Sequence, residues 1–262
     1  MSGLHIPIDT PDGSRTAHAE NVLAPNPGMM TLDGTNTWVI GTDEVMVVDP
    51  GPDDAAHLDR VVRHLGERRV RQILLTHGHS DHSGGARRFA ELVGAPVRAL
   101  DPRHRLGSEG LADGDVVAVG GVELHVYGTP GHSFDSLCFW LPEDRAMLTG
   151  DTVLGRGTTV IAQDGGLADY LRSLDRLRQA AEELAADALL PGHGPVLAHP
   201  IGALDGYIRH RRERLDQIRS AQKQGARTPR EIVEIVYADV DRQLWPMAEI
   251  SVRAQLDYLG SP

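Results

Sequence analysis

Residues 76–85 read THGHSDHSGG, and no other stretch of the chain restricts its possible folds as tightly. His77, His79, Asp81 and His82 lie within six positions, directly behind the apolar run Ile73-Leu74-Leu75. Neutral imidazoles and carboxylates are good ligands for zinc and similar borderline metals. A strand that ends at Thr76 delivers the next residues to the carboxyl edge of a sheet, where a loop can turn several side chains toward one point. The small residues Gly78 and Ser80 let His77 and His79 face one ion, leaving Asp81 and His82 to face a second beside it. Gly84 and Gly85 allow tight backbone turns and a close approach by the following helix.

One cluster cannot complete two coordination spheres, so further ligands must come from elsewhere. His132 in GTPGHSFDS, Asp151 in LTGDT and His193 in LLPGHGP each follow an apolar run and sit beside glycine. Apolar strand, small residues, then His or Asp: that order occurs four times along the chain. Chance would rarely place four such signals in sequence.

The intervening segments read as a layered α/β domain. Residues 37–49 suggest two strands around a turn at 41–43, residues 53–66 a helix, and 72–76 a short strand covered on both faces. A helix is expected over 84–93 and strands near 96–100, 115–119, 122–128, 136–141 and 145–149. Leu167, Tyr170, Leu171, Leu174 and Leu177 recur at helical spacing, and Ala188–Leu190 is a short strand. Aromatics are only 4% of a chain that is 40% hydrophobic, so the core must be mostly Val, Leu, Ile and Ala. The lone cysteine, Cys138, excludes an internal disulfide and fits a reducing compartment. Residues 1–20 show no export signal, and no stretch reaches the roughly 20 apolar residues of a membrane span. A cytoplasmic protein is expected.

From residue 200 the pattern changes. Residues 200–224 form one long helical pattern ended by Gly225, and Thr228-Pro229-Arg230-Glu231 has the form of a capping box. A last helix from about Pro246 puts Trp245, Ala248, Val252, Leu256 and Leu259 on one face. The chain therefore divides into a catalytic domain, 1–199, and a small helical domain, 200–262. The net charge of -11 is uneven: the first 199 residues hold 16 Lys+Arg against 28 Asp+Glu, the rest ten against nine. Residues 209–230 hold eight basic residues against two acidic. That strip reads either as a solvated helix face or as a surface offered to an anionic substrate. At 100° per residue Arg211 and Arg214 share a face, whereas Arg209, Arg211, Arg212 and Arg214 cannot all do so.

The set His77-x-His79-x-Asp81-His82, His132, Asp151 and His193 resembles the metallo-β-lactamase superfamily over residues 20–199. The resemblance implies an αββα sandwich with two metals at one edge of the paired sheets, two zinc ions or else manganese or iron. It implies that His77, His79 and His132 hold the first metal, Asp81, His82 and His193 the second, and that Asp151 bridges both. Two such metals share a water, lower its pKa toward neutrality and generate a hydroxide nucleophile; Asp81 would also orient that hydroxide as a catalytic group. The secreted antibiotic-hydrolysing members place a cysteine where this chain has Asp151, and the large RNA-processing members insert a whole domain before the last histidine. Neither feature is present. NPGMMTLDGTNTWVIG, GRGTTVI and LWPMAEISVRAQLDYL look like the beta-lactamase-like proteins related to a mitochondrial endoribonuclease, whose catalytic domain precedes a winged-helix-like domain.

That likeness makes single-stranded RNA one candidate substrate. The rival is a thioesterase of the hydroxyacylglutathione hydrolase type, with an acyl substrate and the same seven ligand positions. A non-catalytic metal-stabilised scaffold is a remote third reading, because structural zinc sites are usually closed and mononuclear. The remaining histidines, His5, His18, His57, His64, His104, His125, His199 and His210, read as structural or solvated, with His57 and His64 on a surface helix. Cys138 reads as core.

Overall fold

A computed structural model of the chain describes residues 14–260. The reading of the N-terminus as lacking an export signal, and His5, fall largely or wholly outside the described residues. The first sheet orders β1 (Ala19–Leu23), β2 (Asn36–Gly41), β3 (Glu44–Val48), β4 (Arg69–Leu74) and β5 (Val97–Arg98) side by side. It is antiparallel through β3 and parallel beyond. The second sheet runs β10 (Ala188–Pro191), β9 (Ala146–Gly150), β8 (Leu137–Leu141), β7 (Val122–Gly128) and β6 (Val116–Val119). Only its β10–β9 pair is parallel.

Alternation along each strand decides the layers. In β2 and β3, Trp38, Ile40, Met46 and Val48 face the second sheet and meet Leu124, Phe139, Leu148 and Leu190. Val39, Val45 and Val47 face the other way, onto Leu58 and Val61 of α1 (Ala55–Leu65) and Phe89 of α3 (Ala86–Val93). The outer face of the second sheet, with Cys138, Trp140 and Met147, packs on Tyr170, Leu174 and Leu177 of α4 (Leu167–Glu183). The result is four layers in the order α, β, β, α, as the resemblance implied.

The described elements of the tail are all helices. α5 (Pro200–Lys223) starts against the catalytic domain, through Leu204, Tyr207 and Leu215, and ends in a separate small core at Ile218 and Ala221. That core is completed by Ile232 and Val233 of α6 (Pro229–Val236) and Trp245, Ala248, Val252 and Leu256 of α7 (Trp245–Leu259). The capping box at Thr228 and Glu231 is formed, and Gly225, which follows α5, has φ +106°.

Three expectations change, and one strand is new. β4 ends at Leu74 and starts at Arg69, and its first half alternates exposed and buried, because β5 pairs only with Ile73 and Leu74. The strand expected at 96–100 is two residues long. A one-turn helix, α2 (Ser80–Ser83), precedes α3, so Asp81 and His82 are helical rather than in a loop. β1 had no legible signal, since Glu20 and Asn21 break its apolar pattern. No helix among the described residues is long and apolar enough to cross a membrane.

Candidate metal centre

All seven sequence-selected ligands meet at one edge of the two sheets. β4 leads through Leu75 and Thr76 to His77, and the loop that follows carries His79 before α2 presents Asp81 and His82. β7 leads to His132, β9 ends one residue before Asp151, and β10 ends two before His193. Gly85 lets α3 pass close beneath: a Cβ there would lie 2.7 Å from the Pro52 carbonyl oxygen. Gly192 has the same role beside His193, where a Cβ would lie 2.7 Å from both Asp151 Oδ1 and His82 Cε1.

Two donor sets result. His79 Nδ1 lies 3.1 Å from His77 Nε2 and 3.0 Å from His132 Nε2. His193 Nε2 lies 3.1 Å from His82 Nε2 and 3.2 Å from Asp81 Oδ2. Asp151 stands between them, with Oδ1 3.4 Å from His82 Nε2 and Oδ2 3.4 Å from His193 Nε2 and 3.7 Å from His132 Nε2. Asp151 Oδ1 is buried and has no hydrogen-bond partner. A buried carboxylate oxygen without a partner is costly unless a cation completes it.

The outer ring nitrogens test whether these residues fit a metal. His82 Nδ1 meets Asp49 Oδ2 at 2.9 Å, His79 Nε2 meets Asp164 Oδ2 at 2.6 Å, His132 Nδ1 meets the Val160 carbonyl at 2.9 Å, and His193 Nδ1 meets the Gly34 carbonyl at 3.0 Å. Each partner is an acceptor, so each of these nitrogens carries the proton. His77 Nδ1 lies 3.0 Å from Thr76 Oγ1, whose own proton goes to Asp49 Oδ2, so that pair has the same sense. In all five imidazoles the outward nitrogen is thus the donor, which leaves the inward nitrogen as the one that can ligate a metal. The residues fit two adjacent divalent ions, one in each donor set.

Burial and neighbouring charge act differently on the members of the cluster. Burial among other imidazoles drives the pKa of His77 well below its ordinary value. Burial works to raise the Asp151 carboxyl, but His193 and His82 beside it hold it well below the usual range. Burial also opposes charge on His193, yet Asp151 and Asp81 lift its pKa to about 9.

Sequence reasoning missed the outer layer. Asp49 sits in the left-handed region at φ +51° and accepts from Thr76 N (2.8 Å) as well as from His82 and Thr76 Oγ1. Its only signal was an acid at a strand end, in VVDPG. Asp164 lies in a loop without periodicity and gave none. His57 also turns inward from α1, to Thr37 Oγ1 at 2.9 Å, so it is a buried structural histidine rather than a surface one.

Arg211 and Arg214 of the tail are engaged elsewhere. Arg211 is 3% exposed, donates to the Thr159 carbonyl and lies over the Tyr170 ring. Arg214 donates to the Val236 carbonyl at 3.0 Å and lies over Tyr237. The shared face of these two residues therefore points into protein, since a guanidinium can satisfy carbonyls and an aromatic face at once.

Paired donor sets at one edge of a two-sheet sandwich define a metal-dependent hydrolase. The comparisons with known proteins then place it: residues 30–193 match the metallo-beta-lactamase superfamily and residues 228–260 the beta-lactamase associated winged helix domain. The chain belongs to the metallo-β-lactamase superfamily. It is 35% identical to a Caenorhabditis elegans beta-lactamase-like protein 2 homolog, over 83% of this chain and 76% of that protein. It is 36% identical to an Aspergillus fumigatus atrochrysone carboxyl ACP thioesterase, over 82% of this chain and 72% of that one. A beta-lactamase domain protein from Burkholderia ambifaria has the same fold, with a TM-score of 0.81 at 22% identity over 98% of this chain and 90% of that chain.

Proposed function

We propose that the protein is a dinuclear zinc hydrolase of thioesters with an apolar acyl group. The observation that carries this reading is a cavity of about 140 Å³ that opens onto His132 and Asp151 and is walled mainly by Met29, Met30, Leu32, Leu154 and Val160, with Arg156, its one cation, paired to Asp33 at 2.6 Å. Met29 and Met30 are 62% and 45% exposed at its mouth, and flexible methionines suit irregular apolar ligands. A pocket of that lining favours an acyl chain over a nucleotide, whose affinity comes from cations on phosphate. Arg211 and Arg214 are committed to carbonyls, while Arg219 and Arg230 are paired with carboxylates. The thioesterase named among the relatives supports the same substrate class.

When bound, the metal pair supplies a water acidified toward neutrality and neutralises charge developing on the substrate oxygen. The protein's own part is positional. His77, His79 and His132 would hold one ion and Asp81, His82 and His193 the other, with Asp151 common to both. The Asp81 side chain is 28% exposed, more than Asp151, and its carboxyl is held ionised: burial opposes this, but His193 and His82 outweigh it. Its carboxylate can therefore receive the proton released by the attacking water. Hydrolysis forms a C–O bond, breaks the C–S bond and yields a carboxylate and a thiol.

The test is a parallel screen of the zinc-loaded protein on a benzoyl thioester, a single-stranded RNA and a β-lactam, each with and without chelator. Chelator-sensitive thioester turnover well above the other two is expected. Cleavage of the RNA with no thioester turnover would overturn the reading.

A further inference from the structure

A second cavity, about 750 Å³, lies between residues 161–167 and α7. Ile161, Gln163 and Asp164 line one side, and Ile250, Arg253 and Asp257 the other. It is a cleft between the catalytic domain and the tail, of the size and placement that small-molecule sites favour. Asp164 connects it to the metal centre, because the same carboxylate accepts from His79 Nε2 at 2.6 Å. Ile250 to Asp257 spans about 10 Å of helix at 1.5 Å per residue, so the α7 wall is long enough for an extended chain. Arg253 is exposed and has no ion pair or hydrogen bond among the described residues, unlike Arg211, Arg214, Arg219 and Arg230.

We propose that this groove receives the thiol arm of the substrate, an extended chain ending in an anion, and that Arg253 holds that anion. The inference rests on the thioester reading. A thioester has two arms on either side of the scissile carbon, and the apolar cavity at His132 accommodates only one. The other must leave by a second route, and the groove that Asp164 lines lies one hydrogen bond from His79. Its charges fix where an anion can sit. Asp164 is engaged by His79, and Asp257 lies one turn beyond Arg253, so Arg253 is the one cation among the lining residues. A guanidinium binds phosphate or carboxylate with charge-assisted hydrogen bonds. Both coenzyme A-type and glutathione-type thiols offer such a group.

The experiment compares three thioesters of one benzoyl group: with coenzyme A, with glutathione and with uncharged N-acetylcysteamine. Wild type is set against Arg253→Gln and Arg253→Lys, which lie on an exposed position and leave the metal ligands untouched. The expected result is a loss of about tenfold in kcat/KM in Arg253→Gln for whichever anionic thioester wild type prefers, carried by KM, with substantial recovery in Arg253→Lys. The N-acetylcysteamine thioester should be unaffected. A preference for coenzyme A or for glutathione identifies the anion as phosphate or carboxylate. Equal loss on all three thioesters, or loss on none, would overturn the proposal while leaving the thioesterase intact. Binding of S-methyl coenzyme A and S-methylglutathione by calorimetry needs no turnover. If no thioester is hydrolysed, the functional reading fails; the groove assignment fails separately if neither probe binds more tightly to wild type than to Arg253→Gln.

Discussion

Asp49 and His82, 33 residues apart, meet at 2.9 Å in a position where neither side chain is more than 2% exposed. The carboxylate accepts a hydrogen bond from Nδ1 of the imidazole and, through Thr76 N and Oγ1, also fixes the start of the loop that carries His77. One side chain from β3's end thus orients members of both donor sets, His77 and His82. Its backbone is in the left-handed region, which Asp and Asn tolerate better than other side chains.

Asp49→Asn keeps that backbone and the size of the side chain but removes the charge. Metal affinity should fall about 10–100-fold, the usual effect of losing a ligand's supporting carboxylate. Competition with a chromophoric chelator measures it, and the far-ultraviolet circular dichroism should match wild type. Unchanged affinity would show that Asp49 serves packing alone.

The ligands were legible before the fold because their chemistry is local: each is a His or Asp just after an apolar run, and a strand end is where such a residue becomes available. The layers were legible because Trp38, Ile40, Met46 and Val48 alternate with Val39, Val45 and Val47. What escaped was non-local. Asp164 matters because β4's loop and a segment 85 residues later converge on His79. The apolar cavity combines residues near 30 with residues near 155, and no window of sequence contains both. The basic strip was legible as charge but not as contact, since helical spacing says that Arg211 and Arg214 share a face and not what that face meets.

Two donor sets imply two ions. Elemental analysis of zinc-loaded protein should give about two per chain, because seven ligands exceed one tetrahedral site. Asp151→Ala should abolish turnover, since the carboxylate is common to both sets, while the core layers stay intact. Retention of most activity by this variant would remove its bridging role.

Cys138 lies mid-strand in β8, where burial pushes its thiol up to about 11. At pH 8 roughly one thiol in a thousand is then ionised, and only the thiolate reacts with alkylating reagents. The folded protein should resist iodoacetamide at pH 8, and the protein in denaturant should react at the single site. Because the folded-state pKa lies above that of the unfolded chain, this group favours the fold below the unfolded value and ceases to do so as pH rises toward 11. Rapid labelling of native protein at pH 8 would contradict the burial.

Arg211 connects the tail to the metal centre without touching it. Its guanidinium donates to the Thr159 carbonyl, Thr159 Oγ1 donates to the Asp151 carbonyl at 2.7 Å, and the next residue's carbonyl accepts from His132 Nδ1. Tyr170 Oη, beneath the same guanidinium, donates to the Thr152 carbonyl at 2.7 Å. Arg211→Met fills most of the space but leaves a buried carbonyl without its donor, a loss of about 1–3 kcal/mol. It should lower the unfolding midpoint and reduce kcat with little change in KM, because the segment that carries Asp151 and Val160 loses a support. Arg212→Met removes only an exposed pair with Asp175 at 4.0 Å and should cost within about 0.5 kcal/mol. Denaturant titration and steady-state kinetics on the two variants separate the roles. Equal behaviour of Arg211→Met and Arg212→Met would mean that α5 packs beside the site without bracing it.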